Sequence, residues 1–298
     1  AFRVTEAALS KELASLTLNE GLLSIGTRAF GGSALTTVDL PSSVEEIKDN
    51  AFQDGAKGVV TLKTSNKAHL ELNSDDAAAD SHVIVYDKLV GTGWTAEDFT
   101  YDEATGTITG WSQSGQAKRK TVKTLVLPDT TPEGKDIVAV GDEAFKIPDD
   151  EVVVTKFGIE SPNGMTSVVL PENVTKIGNK SFAQNALTGI DLTGLQSIGE
   201  SAFYGNQLAK VEIPDTVTEM GSGAFANNNI TELKLSAGVT KIPQGAFSMN
   251  IRLEYVEIPD TVTEIGATAF AGARLTSLTI PESVEKIGEK AFHLHHLT

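Results

Sequence analysis

Leu208-Ala-Lys-Val211-Glu-Ile213-Pro214 opens a stretch that runs on through Val217 and Met220-Gly221 to Ala224-Phe225 and then repeats itself. The second copy, Ile230-Thr-Glu-Leu233-Lys-Leu235, continues through Val239 and Ile242 to Ala246-Phe247, so the two phenylalanines are 22 residues apart. The shared unit is L-x-x-L-x-L-P, a spacer carrying Val, then I-G-x-x-A-F. Self-similarity at this period marks one supersecondary unit stacked on copies of itself, because a single unit cannot bury its apolar face alone.

Working outward, six such units run without interruption, opening at Met165, Leu187, Leu208, Ile230, Leu253 and Leu275 and ending at Phe182, Phe203, Phe225, Phe247, Phe270 and Phe292. The gaps between those phenylalanines are 21, 22, 22, 23 and 22 residues, too even to admit an inserted domain. Upstream, Val122-Lys-Thr-Leu125-Val-Leu127-Pro128 begins a unit that reaches Ala144-Phe145 through Val140-Gly141. An insertion of residues 146–164 follows, with Val152-Val153-Val154 between Pro148 and Pro162 expected as an added strand or edge loop. Insertions in repeats collect on one face, so this one is a candidate contact loop; a tolerated surface insertion is the alternative.

An earlier array is visible at Leu13 to Phe30, at Leu35 to Phe52 and at Val59-Val60-Thr-Leu62, where the pattern stops. The expected organisation is therefore a short array over 1–62, a β-rich spacer or cap over 63–121 and the main array over 122–298. In the spacer, Val83-Ile84-Val85-Tyr86 reads as a short strand. Phe99-Thr-Tyr101 and Thr107-Ile-Thr109 flank a turn whose Gly106 supplies the positive φ of a tight hairpin. Trp94 and Trp111 are expected to anchor this section to an array through their large apolar area. Lys118, Arg119, Lys120 and Lys123 read as a solvated strand edge rather than a phosphate site.

Within each unit the fourth and sixth positions of L-x-x-L-x-L alternate with polar ones, the period of a half-buried strand. Successive strands should stack in parallel, and proline after position six, having no N–H to donate, should end each one. Val and Ile of the spacer point inward, Gly after Ile is expected to permit a second turn, and Ala-Phe to pack between turns with Phe forming a stacked ladder. Positions three and five then tile an outward face. Lys210 with Glu212, and Glu232 with Lys234, are candidates for pairing across adjacent strands. Tyr255, with Val126 and Val169, is expected to supply contact area for a protein partner, and Glu257 lies on the same face.

Composition excludes several functions. The net charge is -16, with 40 acidic against 24 basic side chains, which repels phosphate backbones and anionic lipid, so no nucleic-acid partner is expected. There is no cysteine, hence no disulfide, thiol nucleophile or thiolate metal site. No apolar run approaches the roughly 18 residues of a membrane span, so no membrane insertion is expected. The chain begins Ala1-Phe2 and ends Leu297-Thr298, the start of another unit, and is expected to be a monomeric fragment of a longer protein carrying signal and anchor elsewhere.

The unit seen as Leu253 to Phe270 and as Leu275 to Phe292 resembles the BspA-like, treponemal-type leucine-rich repeat of bacterial surface proteins over residues 13–62 and 122–298. The section from Trp94 to Val126 is similar to spacers between such arrays. The resemblance implies an α/β repeat solenoid, a right-handed superhelix with one parallel strand per unit, and cell-surface proteins that adhere to host components, matrix proteins or other bacteria. It supplies no catalytic residues. Thr193 and Ser236 stand where Pro usually ends the strand, and Ala, Asn or Gly where Cys often follows the Phe.

No constellation beyond the repeat points to catalysis, and no cofactor or metal is expected. His293, His295 and His296 fill the step between Phe292 and Leu297 that Phe270 to Leu275 also makes. Gly91-Thr-Gly93 lacks the third glycine and helix of a nucleotide loop, and Asp75, Asp76 and Asp80 lack the spacing of a calcium loop. The expected function is non-catalytic extracellular recognition of a host or bacterial surface protein or glycan through the strand face. The alternatives are a structural stalk, or the recognition part of a larger surface enzyme. Truncating a buried Phe costs about 3 to 5 kcal/mol, so Phe225→Ala is expected to lower the urea midpoint sharply and to loosen several units together.

Overall fold

The computed structural model describes residues 13, 15–27, 29–31, 33–48, 51, 52, 60–66, 68, 69, 82–89, 91–155 and 158–293. The chain forms two compact units, Ala1–Trp94 and Thr95–Thr298. Asp75, Asp76, Asp80, His295 and His296 lie outside the described residues.

In the first unit, Thr37–Asp39, Val60–Thr64 and His82–Tyr86 form a parallel three-stranded sheet, so the strand expected at Val83 to Tyr86 continues the ladder beyond residue 62. Ser24–Ile25 pairs in parallel with Glu46–Ile47. Ile25, Leu35, Val38, Leu40, Val44 and Leu62 belong to one buried apolar cluster, and the Phe30 and Phe52 rings stack at 5.3 Å.

The second unit contains the main array. The L-x-x-L-x-L segments pair in parallel as Thr124–Val126 with Ser167–Val169 and Lys210–Glu212 with Glu232–Lys234. No strand is assigned to the corresponding residues 189–191, 255–257 and 277–279. A second and more regular ladder runs through the x-I of each I-G motif. Ala139–Val140, Lys176–Ile177, Ser197–Ile198 and Glu219–Met220 pair in sequence, and Lys241–Ile242, Glu264–Ile265 and Lys286–Ile287 do the same. The glycine N–H of each turn donates to the preceding turn: Gly178 to Val140 O at 2.8 Å, Gly199 to Ile177 O at 2.8 Å, Gly221 to Ile198 O at 2.8 Å and Gly266 to Ile242 O at 2.7 Å. Pro243 occupies this place in the turn between, and it has no N–H for Met220 O. There the ladder divides into a six-stranded and a three-stranded sheet.

These glycines serve close approach rather than the second turn expected of them, for none of Gly178, Gly199, Gly221, Gly266 and Gly288 has a positive φ. A Cβ on Gly199 would lie 2.5 Å from Gly178 C, and one on Gly221 2.3 Å from Glu200 N. The bend itself is made by left-handed residues two places before each phenylalanine, Glu143, Lys180, Ser201, Gly223, Gly245, Thr268 and Lys290, with φ between 53° and 63°. Further left-handed residues follow two places after, at Gln184, Gly205, Asn227, Met249 and Gly272. Two such residues per turn are incompatible with a helix. Among the described residues the α component of the expected class is accordingly absent from the repeats, and the one α-helix is Gln113–Lys118.

From Phe145 to Phe292 the rings stack at 5.2 to 5.7 Å with interplanar angles of 3° to 21°, the ladder anticipated from sequence. From Phe145 to Phe270, each phenylalanine N–H donates to the carbonyl before the next phenylalanine at 2.7 to 2.9 Å. Three residues after the phenylalanine stands a second ladder of buried side chains, Asn185, Asn206, Asn228 and Asn250. Asn228 Nδ2 donates to Phe203 O at 2.9 Å and to Phe225 O at 3.1 Å, while its Oδ1 accepts from Leu208 N–H at 3.1 Å. Asn185, Asn206 and Asn250 repeat the pattern. Each therefore satisfies backbone groups of two turns in the dry interior, and Ala273 ends the series.

The hairpin expected at 99–109 is present as Phe99–Asp102 and Thr107–Trp111, with Gly106 at φ 69°. Its second strand pairs in parallel with Ala139–Val140 and becomes the first rung of the second ladder. Trp111 packs edge-on against Phe145 at 4.7 Å and Phe99 against Trp111 at 5.7 Å, so the open end of the ring stack is covered. Trp111 thus anchors the hairpin as expected; Trp94 is buried. Overpacking typically costs about 1 to 3 kcal/mol. Gly221→Ala is expected to lose that much in urea denaturation, whereas Gly189→Ala, with nothing within 4 Å of its added methyl, should leave the midpoint unchanged.

Candidate functional site: the strand face and the inserted hairpin

On the strand face the outward positions sort themselves by charge. The parallel register sets Lys210 beside Glu232 and Glu212 beside Lys234. The ion pairs therefore cross the strands, Lys210 to Glu232 at 3.5 Å and Lys234 to Glu212 more closely, rather than forming within Lys210/Glu212 and Glu232/Lys234. The hydrogen bond from Lys234 holds the Glu212 carboxyl below its ordinary range, and Glu212 raises the Lys234 ammonium in turn. All four side chains are exposed, so solvent and salt screen these pairs strongly.

Tyr255 is 60% exposed and Val169 44% exposed, and Glu257 is also exposed. Val126 is only 7% exposed. The alternation that turns position five outward fails on its strand, where Leu125, Val126 and Leu127 are all buried, and Val126 offers no contact surface. Lys210, Glu212, Glu232 and Lys234 thus form one cluster on two paired strands. Val126 and Val169 lie side by side on another pair. Tyr255 and Glu257 stand on a turn without an assigned strand.

The insertion contains a two-stranded antiparallel hairpin, Val153–Thr155 with Gly158–Glu160, preceded by a short 3-10 turn, Asp149–Glu151. Its base is fastened by a residue that the sequence pattern assigns to a solvated edge. Arg119 is 2% exposed and grips Glu151 with two hydrogen bonds, of 2.6 and 3.1 Å. Asn163 Nδ2 adds a bond to Glu151 Oε2 at 3.1 Å, and Lys123 Nζ donates to Pro162 O at 3.2 Å. The bonds from Arg119, and with them that from Asn163, hold the Glu151 carboxyl below its ordinary range. Lys118 pairs with buried Asp98, whose carboxyl burial pushes up but the Lys118 ammonium and Thr95 N–H hold below the usual range overall. The basic stretch is a helix end that pins the hairpin and the insertion.

Two shallow grooves accompany these surfaces. One, of about 760 Å³, runs over the second ladder across the interruption at Pro243 and is lined by Glu219, Lys241 and Glu264 among others. The other, of about 420 Å³, lies between Ile159-Glu160 of the hairpin and Gln207, Asn229 and Arg252 of successive turns. Among the described residues no group of three or more His, Asp or Glu side chains is placed to hold a metal ion. Among the described residues no helix is long and apolar enough to cross a membrane. Gly91 and Gly93 have left-handed φ of 76° and 81° and form a turn.

Stacked short turns, parallel ladders and interior rings define the class of stacked-repeat proteins. A family model described as "BspA type Leucine rich repeat region (6 copies)" matches residues 5–68, 143–194, 157–204 and 175–298. The chain belongs to the BspA-type leucine-rich repeat family. A comparison with curated proteins returned no match. Among solved structures, a leucine-rich repeat protein from Bacteroides ovatus is similar at 18% identity and TM-score 0.43, covering 91% of this chain and 80% of its own. A leucine rich cell surface protein from Faecalibacterium prausnitzii is similar at 23% identity and TM-score 0.37, covering 94% and 83%. A leucine-rich repeat protein of T. pallidum is similar at 21% identity and TM-score 0.41, covering 65% and 85%.

The Arg119 guanidinium is buried while the Glu151 carboxylate is half-buried, so losing the arginine removes the main tie at the base of the insertion. Arg119→Ala is therefore expected to free the base of the insertion, and limited proteolysis should then cut within residues 146–164 much faster than in the parent protein.

Proposed function

We propose that this chain is a non-catalytic recognition module of a bacterial cell-surface protein, binding a protein or glycan partner through the strand face and the inserted hairpin. One observation carries the reading. Tyr255 stands 60% exposed at an outward position of an array whose other outward side chains are mostly polar or ion-paired. An aromatic ring held in water by a rigid scaffold has area to lose on binding and little conformational entropy to give up. Membership of the family supports a surface location, and the negative charge disfavours nucleic acid. The module acts as a monomer.

A structural stalk is the second reading, favoured by one row of the second ladder. Lys241 and Lys286 both pair with Glu264, at 3.4 and 3.9 Å, and such a row rigidifies a surface without preparing it for a partner. A screen of immobilised glycans and matrix proteins separates the two. A recognition module gives discrete partners whose binding weakens with Tyr255→Ala, by about tenfold for one aromatic anchor, or on shortening residues 146–164. A stalk gives none. If a partner is found and neither change affects it, the site assignment is wrong.

A further inference from the structure

The second ladder opens where Pro243 interrupts it, and the opening has definite edges. In the regular turns a glycine after the isoleucine lets one turn lie against the one before it: a Cβ on Gly221 would stand 2.3 Å from Glu200 N, and one on Gly266 2.5 Å from Gln244 N. Pro243 occupies the same place with a Cβ, a ring and no N–H, so its turn is held off the preceding one. Thr218 N–H donates to Gln196 O at 3.0 Å and Thr263 N–H to Thr240 O at 2.9 Å, but Thr240 N–H does not reach Thr218 O. Among the described residues Thr218 O and Met220 O accept no hydrogen bond. The turns rejoin on both sides, where Ala237 N–H donates to Asp215 Oδ1 at 3.0 Å and Gly223 N–H to Gln244 O at 2.9 Å.

The groove of about 760 Å³ lies over this opening and runs across successive turns from Asn179 to Ala267. Its polar groups are uncommitted. Among the described residues the hydroxyls of Ser197, Thr218, Ser222 and Thr240 make no hydrogen bond, whereas Thr263 Oγ1 donates to Thr240 O at 3.3 Å. Glu264 is held by Lys241 and Lys286, and among the described residues Glu200 and Glu219 form no ion pair. Bare carbonyls and free carboxylates make the groove rich in acceptors and negative, so it selects a ligand rich in donors and positive charge. The rings of these turns are 5.2 to 5.7 Å apart. An extended peptide presents one face at every second residue, about 6.4 to 6.8 Å, and falls out of step along the groove. A β-1,4-linked pyranose chain has a ring repeat close to the turn spacing, stays in step and offers hydroxyls at every ring.

We propose that the groove over Pro243 binds a linear β-linked glycan bearing free amino groups, whose hydroxyl and ammonium groups donate to Thr218 O, Met220 O and the Glu219 carboxylate. This rests on the recognition reading above and adds a site to the strand face. The full chain is titrated by isothermal calorimetry with the β-1,4-linked hexamer of glucosamine, the hexamer of N-acetylglucosamine and a hexapeptide of alternating Lys and Ser, at physiological ionic strength so that long-range charge attraction is screened. The glucosamine hexamer is expected to bind, and the acetylated hexamer and the peptide to bind about tenfold more weakly or less. Glu219→Gln removes a charged acceptor and should weaken the glucosamine hexamer about tenfold. Pro243→Gly restores an N–H for Met220 O and removes the obstructing Cβ, so it should close the groove and weaken binding at least as much, with the circular dichroism of the parent protein. Tyr255→Ala should change nothing. Absence of binding by the glucosamine hexamer, equal binding of the peptide, or unchanged affinity in either groove variant overturns the site. A partner from the immobilised screen that is weakened by Tyr255→Ala, in a protein that does not bind the glucosamine hexamer, overturns it while leaving the recognition reading in place.

Discussion

Everything in the main array depends on how closely one turn's backbone approaches the next. Near the phenylalanine bend, N–H groups donate toward the following turn, as from Phe225 to Ala246 O at 2.9 Å; at the I-G segment they donate toward the preceding one, as from Gly221 to Ile198 O at 2.8 Å. Main-chain polarity is thus satisfied between turns rather than within them, as a buried backbone requires. The spacing this imposes is the spacing at which aromatic rings stack, and it leaves no space for a Cβ at Gly199 or Gly221. The asparagine ladder is the side-chain version of the same constraint. It closes the carbonyls and N–H groups that the bend leaves in the interior, where each unmet group would cost about 1 to 3 kcal/mol.

Because interior positions are fixed so tightly, the places where the repeat departs from itself carry the structural news. Pro243 removes one donor and divides the second ladder, while the phenylalanine stack passes the same point undisturbed, Phe225 and Phe247 lying 5.7 Å apart. Ala273 ends the asparagine series, and Leu253 N–H there bonds to Asn250 O of its own turn instead. The array tolerates the loss of one ladder because the others bridge the gap.

The residues legible in the sequence were those whose chemistry recurs with one clear cause. The phenylalanines at even spacing, the alternation of Leu208, Val211 and Ile213, and the hairpin around Gly106 all carry their structure on their face. The second ladder did not, because a two-residue strand such as Lys176–Ile177 is too short to display a period of two. Asn185, Asn206, Asn228 and Asn250 recur three places after each phenylalanine. Their spacing was available, but asparagine is so common in turns that recurrence alone does not distinguish a buried ladder from exposed bends. The candidate site was legible in part for a similar reason. Period two assigns Lys210, Glu232 and Tyr255 outward, yet it cannot give the cross-strand register, nor the local failure that buries Val126.

Arg119 shows why the remainder was beyond reach. Its partner Glu151 is 32 residues away, across a complete repeat, and four neighbouring positive charges look alike on paper. A solenoid must cover the exposed end of its ring stack, and Phe99 and Trp111 do so here. The helix that follows this cap then ends at Arg119 and fastens the insertion beside it. An insertion adds loop entropy that a regular turn does not carry. Placed next to the cap, it is secured by groups that end-covering already brings into position. The arrangement allows the outer residues of the hairpin to vary without disturbing the glycines, asparagines and phenylalanines that hold the turns together.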